Sequence, residues 1–308
     1  MIAAHADWST DPRKRWMTVA RRIAGGWRAE APRPVGAPIT MLAGVLADGV
    51  PVALGLDVPL GVPRDYAALA GIADFPAFLR GLAGRPRFFA VNEALGTVAL
   101  DRPFYPQRGV RGMTRAAHAA ALGLSGAAGL SRWCDRATAE RPAGAPVFWT
   151  LGANQSGKAA IAAWRDWLAP ALAEGAPIRL WPFEGGLHAL LAPGRAVVAE
   201  VYPAEALRHC GLRMGGSKRV RADRAALAEP LLAAMATRGV VGDAALVAAV
   251  RDGFGRDAAG EDRFDSLIGL LGLIGVLDGA RPDFIPDDPA ITAVEGWVLG
   301  QSALPRLG

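Results

Sequence analysis

The sequence predicts an α/β protein whose mixed sheet begins as a three-strand meander, passes through a helix into parallel strands, and carries helical insertions and a C-terminal helix. Three observations lead there. Residues 50–63 (VPVALGLDVPLGVP) are apolar through Val52, Ala53, Leu54 and Leu56 and break at Pro59, Gly61 and Pro63, the pattern of a strand buried on both faces. Ahead of this run lie three short strand-like segments separated by turn residues. Behind it, apolar residues recur at helical spacing in several stretches, the last at 261–278.

Taken in order, residues 2–8 (IAAHADW) predict a first strand with Asp7 at its tip, and 15–23 (RWMTVARRI) a second. Gly25 and Gly26 mark a tight connection into a third strand over 27–31, which Pro32, Pro34 and Pro38 end. Ile39, Leu42, Val45 and Leu46 then stand at helical spacing, so a short helix leads into the strand that ends on Asp57. Residues 64–82 predict a helix, and 84–112 an irregular stretch rich in Pro, Arg and aromatics. In that stretch Arg85, Arg87, Arg102, Arg108 and Arg111 suit a phosphate backbone, and Phe88, Phe89, Phe104 and Tyr105 suit stacking on bases. The alternative is an aromatic plug on the core ringed by solvated arginines.

Helical spacing resumes over 114–141, and 146–151 (PVFWTL) predicts a strand running into Gly152 and then Gly157-Lys158-Ala159. The spacing is that of a phosphate loop, but Ala159 stands where a hydroxyl should hold magnesium. A helix start whose amides and Lys158 hold phosphate or carboxylate is the expected use. Strands follow at 178–183 and 195–202, a helix opens at Pro203, and further helices cover 224–238, 244–250 and 261–278. The whole is expected to form a single elaborated domain, residues 1–308, with an insertion at about 64–145.

Composition narrows the class. An apolar fraction of 52% with 20% charged residues excludes a disordered chain. Apolar runs stop short of the ~20 residues that span a bilayer, and the N-terminal residues lack a signal peptide's basic and apolar segments. The expectation is a cytoplasmic protein with no membrane partner. Cys134 and Cys210 form neither a disulfide framework nor a zinc motif. Of the +5 net charge, the informative part is the run 208–224, with Arg208, Arg213, Lys218, Arg219, Arg221 and Arg224 against Asp223. That run reads as a phosphate-binding face or as a solvated loop and helix start.

Asp7, Asp57, Glu200 and Asp265 each stand in a mostly apolar setting at strand ends or on the last helix, with Asp262 three residues before Asp265. Singly they have plain explanations: Asp57 caps a turn, and acids at a helix start complement its dipole. Glu200, inside an apolar run, is harder to leave unpartnered. Gathered together, such carboxylates persist at neutral pH only with shared protons or bound cations, and magnesium suits them through its preference for hard oxygen ligands.

On Asp7-Trp8-Ser9, the run from Gly55 to Gly61, Phe148-Trp149 with Gly157-Lys158-Ala159, Glu200-Val201-Tyr202-Pro203, Asp262, Asp265-Ser266-Leu267 and Glu295-Gly296-Trp297, the chain resembles the DUF429 family of predicted ribonuclease H-like nucleases over nearly its whole length. The resemblance implies a ribonuclease H-like fold and a Mg²⁺- or Mn²⁺-dependent phosphodiester hydrolase acting on nucleic acid. It further implies Asp7 and Asp57 as central metal ligands, Glu200 and Asp265 completing the site, Asp262 as an alternate ligand, and Ser9, Lys158 and Lys218 on the substrate. Glu295 would lie nearby. One departure is that no acid stands on the helix before the fourth strand, so Glu200 must substitute from another element. His5 and His188 receive no role. Two other readings stand beside it. One is an ATP-dependent phosphotransferase of the actin and sugar-kinase type, although the Asp7-Trp8-Ser9-Thr10 turn lacks the glycine such loops use. The other is a non-catalytic protein that binds nucleic acid or another ligand.

Overall fold

The computed structural model describes residues 1–151 and 156–306. They gather into two compact units, the first of Met1–Asp57 with Leu187–Phe284, the second of Val58–Gly186 with the chain from Ile285 onward. In chain order the elements are β1 (Ile2–Asp7), β2 (Trp16–Ile23), β3 (Gly26–Ala29), β4 (Arg33–Pro34), α1 (Pro38–Leu46) and β5 (Val52–Leu56). The second unit then supplies α2 (Arg64–Ala70), α3 (Phe75–Gly81), α4 (Arg115–Ala121), α5 (Ser156–Ala163), α6 (Ala169–Ala173) and β6 (Ile178–Leu180). The first resumes with α7 (Leu187–Leu190), β7 (Ala196–Glu200), α8 (Pro203–His209), α9 (Arg221–Ala226), α10 (Ala228–Thr237), β8 (Val240–Gly242), α11 (Ala244–Arg251) and α12 (Gly260–Leu277).

Within the first unit the strand order is β7-β5-β1-β2-β3-β8, with β4 beside β2. β1, β2 and β3 form the expected antiparallel meander, turning at Gly25, whose φ of 79° disfavours a side chain. α1, opened by Pro38 in its first turn, returns the chain so that β5 lies parallel to β1, Leu56 opposite Ala6. β7 lies parallel to β5 with Glu200 opposite Leu56. All five residues of β5 are buried, which explains its unbroken apolar sequence.

α12 packs along β1, β2, β5 and α8, and its register is set by one close fit. A Cβ at Gly269 would overlap the His5 imidazole, and one at Gly55 would sit 2.9 Å from His5 Cδ2 and 3.0 Å from Val201 Cγ2. The His5 ring therefore fills space that two glycines leave open. Its Nε2 donates to the Val201 carbonyl at 3.2 Å, and burial holds its pKa down at about 4. Opposite His5 in register, Thr18 is hydrogen bonded to Ser266 of α12 at 2.7 Å.

Several expected elements differ. The helix over 64–82 is two, because Gly71 takes φ 65° and Asp74 caps a fresh start by accepting from the Ala77 amide at 2.6 Å. The expected helix over 114–141 stops at Ala121 and continues as two short three-ten turns, since Gly123 adopts φ 78° and Gly126 follows. No strand forms over 146–151; Trp149 makes only an isolated bridge with Tyr105. The helix over 224–238 divides at Leu227. β8 was too short to show alternation. It pairs parallel with β3, where a Cβ on Gly26 would collide with the Gly239 carbonyl.

In the second unit the aromatics of 84–112 follow the plug reading and not base stacking. Phe88, Phe89, Phe104 and Tyr105 are buried, and Phe88 meets Phe89 and Phe104 edge-on at 5.3 and 5.8 Å between ring centres. Buried Arg132 donates Nε and Nη2 to Asp135 at 3.0 and 2.9 Å, and its Nη1 to the Leu60 carbonyl at 2.9 Å. Glu295, equally buried, accepts from the Arg64 guanidinium at 2.8 Å and from the Trp133 amide at 3.2 Å. The Asp135 and Glu295 carboxylates each accept from several donors, which is what keeps a buried charge tolerable.

Two measurements test these contacts. In urea unfolding, Gly269→Ala is expected to lose about 2–3 kcal/mol through the clash with His5. Gly275→Ala in the same helix, where nothing lies within 4 Å of an added Cβ, is expected to change stability by less than about 1 kcal/mol or to raise it. Buried His118 donates Nε2 to the Pro103 carbonyl at 2.8 Å, and desolvation lowers its pKa from 6.5 to about 4. On acidification the unfolded chain takes up that proton first. Its stabilising share is therefore whole above pH 6.5 and disappears as the pH falls toward 4, by about 3 kcal/mol. The stability difference between wild type and His118→Leu is expected to shrink over that window.

Candidate acidic site of the first unit

Four of the expected acids come together at one end of the sheet. Asp7 closes β1, and Asp57 follows β5 on the adjacent parallel strand, its amide donating to the Ala6 carbonyl at 3.3 Å. Carboxylates at the carboxyl ends of neighbouring parallel strands occupy the usual ligand position of α/β sheets. The α12 stripe supplies the rest. Asp265 lies one turn before Gly269 and Asp262 a further turn back, so both share the helix face that meets β1. The spacings match: His5 to Asp7 spans about 6.6 Å of strand, and Gly269 back to Asp265 about 6 Å of helix.

The electrostatics agree with that gathering. Asp7 is raised well above the usual carboxylate range by burial and then by Asp265, Asp57 and Asp262, with Lys218 opposing. Burial likewise lifts Asp57 to about 7, with Asp265 and Glu200 adding repulsion and Lys218 relieving it. Asp265 is raised by burial against the pull of Lys218. Asp262 reaches about 6, mainly through burial, and its Oδ2 is buried with no hydrogen-bond partner.

Lys218 is the cation among them. Its ammonium donates to Asp265 and lies 3.5 Å from Glu261. Burial works against its charge, yet Asp265, Asp57 and Glu261 outweigh that and hold its pKa above the ordinary lysine range. Arg219 adds a second contact to Glu261 at 3.6 Å. Much of the basic run is thus neutralised internally. Arg221 pairs with Asp252, and buried Arg224 donates to the Gly253 and Gly255 carbonyls at 2.8 and 3.0 Å.

The remaining expected residues stand elsewhere. Glu200 is fully buried, but the register that sets it opposite Leu56, and Leu56 opposite Ala6, directs its side chain to the sheet face away from His5, Gly55 and α12. Its charge still reaches Asp57. The Ser9 hydroxyl serves the turn after β1, accepting from the Asp11 amide at 3.3 Å. Lys158 lies half-buried on α5 of the second unit; residues 152–155 of its loop lie outside the described residues. Gly157 there is a packing glycine, because a Cβ would come within 2.7 Å of the Val147 and Trp149 carbonyls. Glu295 is held in the second unit by Arg64 and Trp133. Sequence reasoning overlooked Lys14, whose charge reaches Asp262 from just before β2. The signal was its place at the foot of the meander's second strand.

The donor set, carboxylate oxygens with one of them unpartnered, suits a hard divalent cation. Among the described residues, however, no group of three His, Cys, Asp or Glu side chains is arranged to hold a metal ion. As placed, the Lys218 ammonium supplies the positive charge. No protein-family model, curated protein or solved structure matches the chain.

Because Asp57 is a carboxylate whose ionisation folding opposes, Asp57→Asn is expected to stabilise the metal-free protein at pH 8 by about 1–2 kcal/mol. Lys218→Gln, which strands Asp265, is expected to destabilise it by about 1–3 kcal/mol. Chemical unfolding in EDTA reads both.

Proposed function

We propose that the acidic site of the first unit is a divalent-metal-dependent phosphodiester hydrolase acting on nucleic acid. The observation that carries the reading is the pairing of Asp7 and Asp57 on adjacent parallel strands beneath Asp265 of α12, all three with pKa values raised. The order β7-β5-β1-β2-β3, an antiparallel meander followed by a helix and two parallel strands, supports a ribonuclease H-like fold. Membership of the DUF429 family, which the sequence resembles, is part of the same proposal.

In this reading a bound Mg²⁺ or Mn²⁺ would supply an activated water and charge stabilisation for the leaving oxygen of a phosphodiester. Asp7, Asp57 and Asp265 would hold the cation, Asp262 would offer its unpartnered oxygen as an alternate ligand, and Glu200 would tune Asp57 through its charge. Lys218 exchanges Asp265 for a substrate phosphate, a role that suits a flexible point charge. Ser9 remains a proposed substrate contact, and a cytoplasmic location is part of the same reading. No helix among the described residues is long and apolar enough to cross a membrane.

The test is cleavage of labelled RNA, DNA and hybrid substrates with Mg²⁺ or Mn²⁺. Wild type is expected to cut at least one of them, and Asp7→Asn and Asp57→Asn to lose about a hundredfold or more. Equal cleavage by wild type and Asp57→Asn would falsify the reading.

A further inference from the structure

Against the acidic site, between α8, the loop after it and the start of α12, lies a cavity of about 500 Å³. That is within the range of small-molecule sites, roughly 300–1,000 Å³. Its lining has two characters. Leu212, Met214 and Phe264 make an apolar wall, while Arg208, Arg213 and Lys218 make a cationic one. Leu212 and Phe264 are buried and fix this wall to the core, while half-buried Leu207 and Met214 give it the apolar surface a ligand can touch. Asp265 also borders the cavity, so cavity and acidic site share both partners of the Lys218–Asp265 ion pair.

The charges decide what fits. Lys218 is committed to Asp265 and Glu261, which cancels its charge locally. Arg208 and Arg213 stand exposed at the cavity and leave it net positive. Paired guanidiniums offer planar, two-pronged donors that match phosphate oxygens. A ligand complementary to the whole cavity is anionic at one end and carries a flat apolar body at the other. It also lies within reach of the carboxylates across Lys218.

We propose that this cavity is a nucleotide subsite, which binds one nucleoside monophosphate unit through Arg208 and Arg213 with its base against Leu207 and Met214. The assignment rests on the reading of the acidic site as a phosphodiester hydrolase and names the substrate unit next to the bond that it cuts.

Calorimetric titration in EDTA separates the two ideas, because no metal and no turnover are involved. Adenosine monophosphate is expected to bind wild type and Asp57→Asn with similar Kd. Arg208→Gln and Arg213→Gln are each expected to weaken that binding about tenfold, and adenosine to bind far more weakly than its monophosphate. The subsite is overturned if inorganic phosphate competes as well as adenosine monophosphate does, which would leave only an anion patch. It is equally overturned if neither arginine variant shifts Kd, or if wild type shows no saturable binding at millimolar ligand. Binding without metal-dependent cleavage removes the hydrolase and keeps the nucleotide site; cleavage without binding removes the subsite alone.

Discussion

The first unit depends on how one buried histidine packs. The His5 imidazole sits between a glycine on the neighbouring strand and a glycine on α12, and any side chain at Gly269 would drive the helix off the sheet. That single fit fixes the longitudinal position of α12 against β1. Because a strand advances about 3.3 Å per residue and a helix 1.5 Å, fixing His5 against Gly269 brings Asp265 to Asp7 with no further adjustment. Ser266, hydrogen bonded to Thr18, prevents rotation about the same axis. The histidine is kept neutral by burial, so the wedge carries no charge that would compete with the acids beside it.

What this geometry builds is an arrangement the fold alone would avoid. Four carboxyls are buried or half-buried at the sheet end, each made less acidic by burial and by its neighbours. Lys218 offsets part of the repulsion from a loop that Arg224 ties down by donating to the Lys218 carbonyl. Perturbed acids beside a cavity are characteristic of functional sites, where stability yields to chemistry. The second unit shows the contrasting use of charge. Arg132 and Glu295 are just as deeply buried, but each is met by several partners of opposite character, and neither is left available to a ligand.

The sheet was legible because its signals are local: apolar runs of strand length, the Gly25-Gly26 turn, and a helix pattern between the meander and β5. So was α12, whose apolar stripe is long enough to show its period. Three kinds of feature were not. Helix ends at Gly71 and Gly123 depend on left-handed backbone conformations that the apolar spacing runs through unnoticed. β8 owes its existence to a tertiary pairing with β3, not to its own three residues. The face on which Glu200 stands is a matter of register, and parity cannot be assigned until the partner strand is known. The acids of the site were nameable one by one, whereas their convergence came from the His5 fit, which no spacing along the chain reveals. Lys158 and Gly157 illustrate the converse, a motif spacing explained by close packing of a helix start.

The bare backbone at Gly26 has an effect beyond the meander. By admitting the Gly239 carbonyl, it allows β8 to complete the hydrogen bonding of β3, and α10 and α11 flank that added strand. The open edge thereby passes from β3 to the three-residue β8, a short edge strand. Completing β3 is thereby linked to the same long excursion of the polypeptide that delivers α12 to the carboxylates, so a molecule that has not finished folding lacks the acidic cluster and leaves β3 bare.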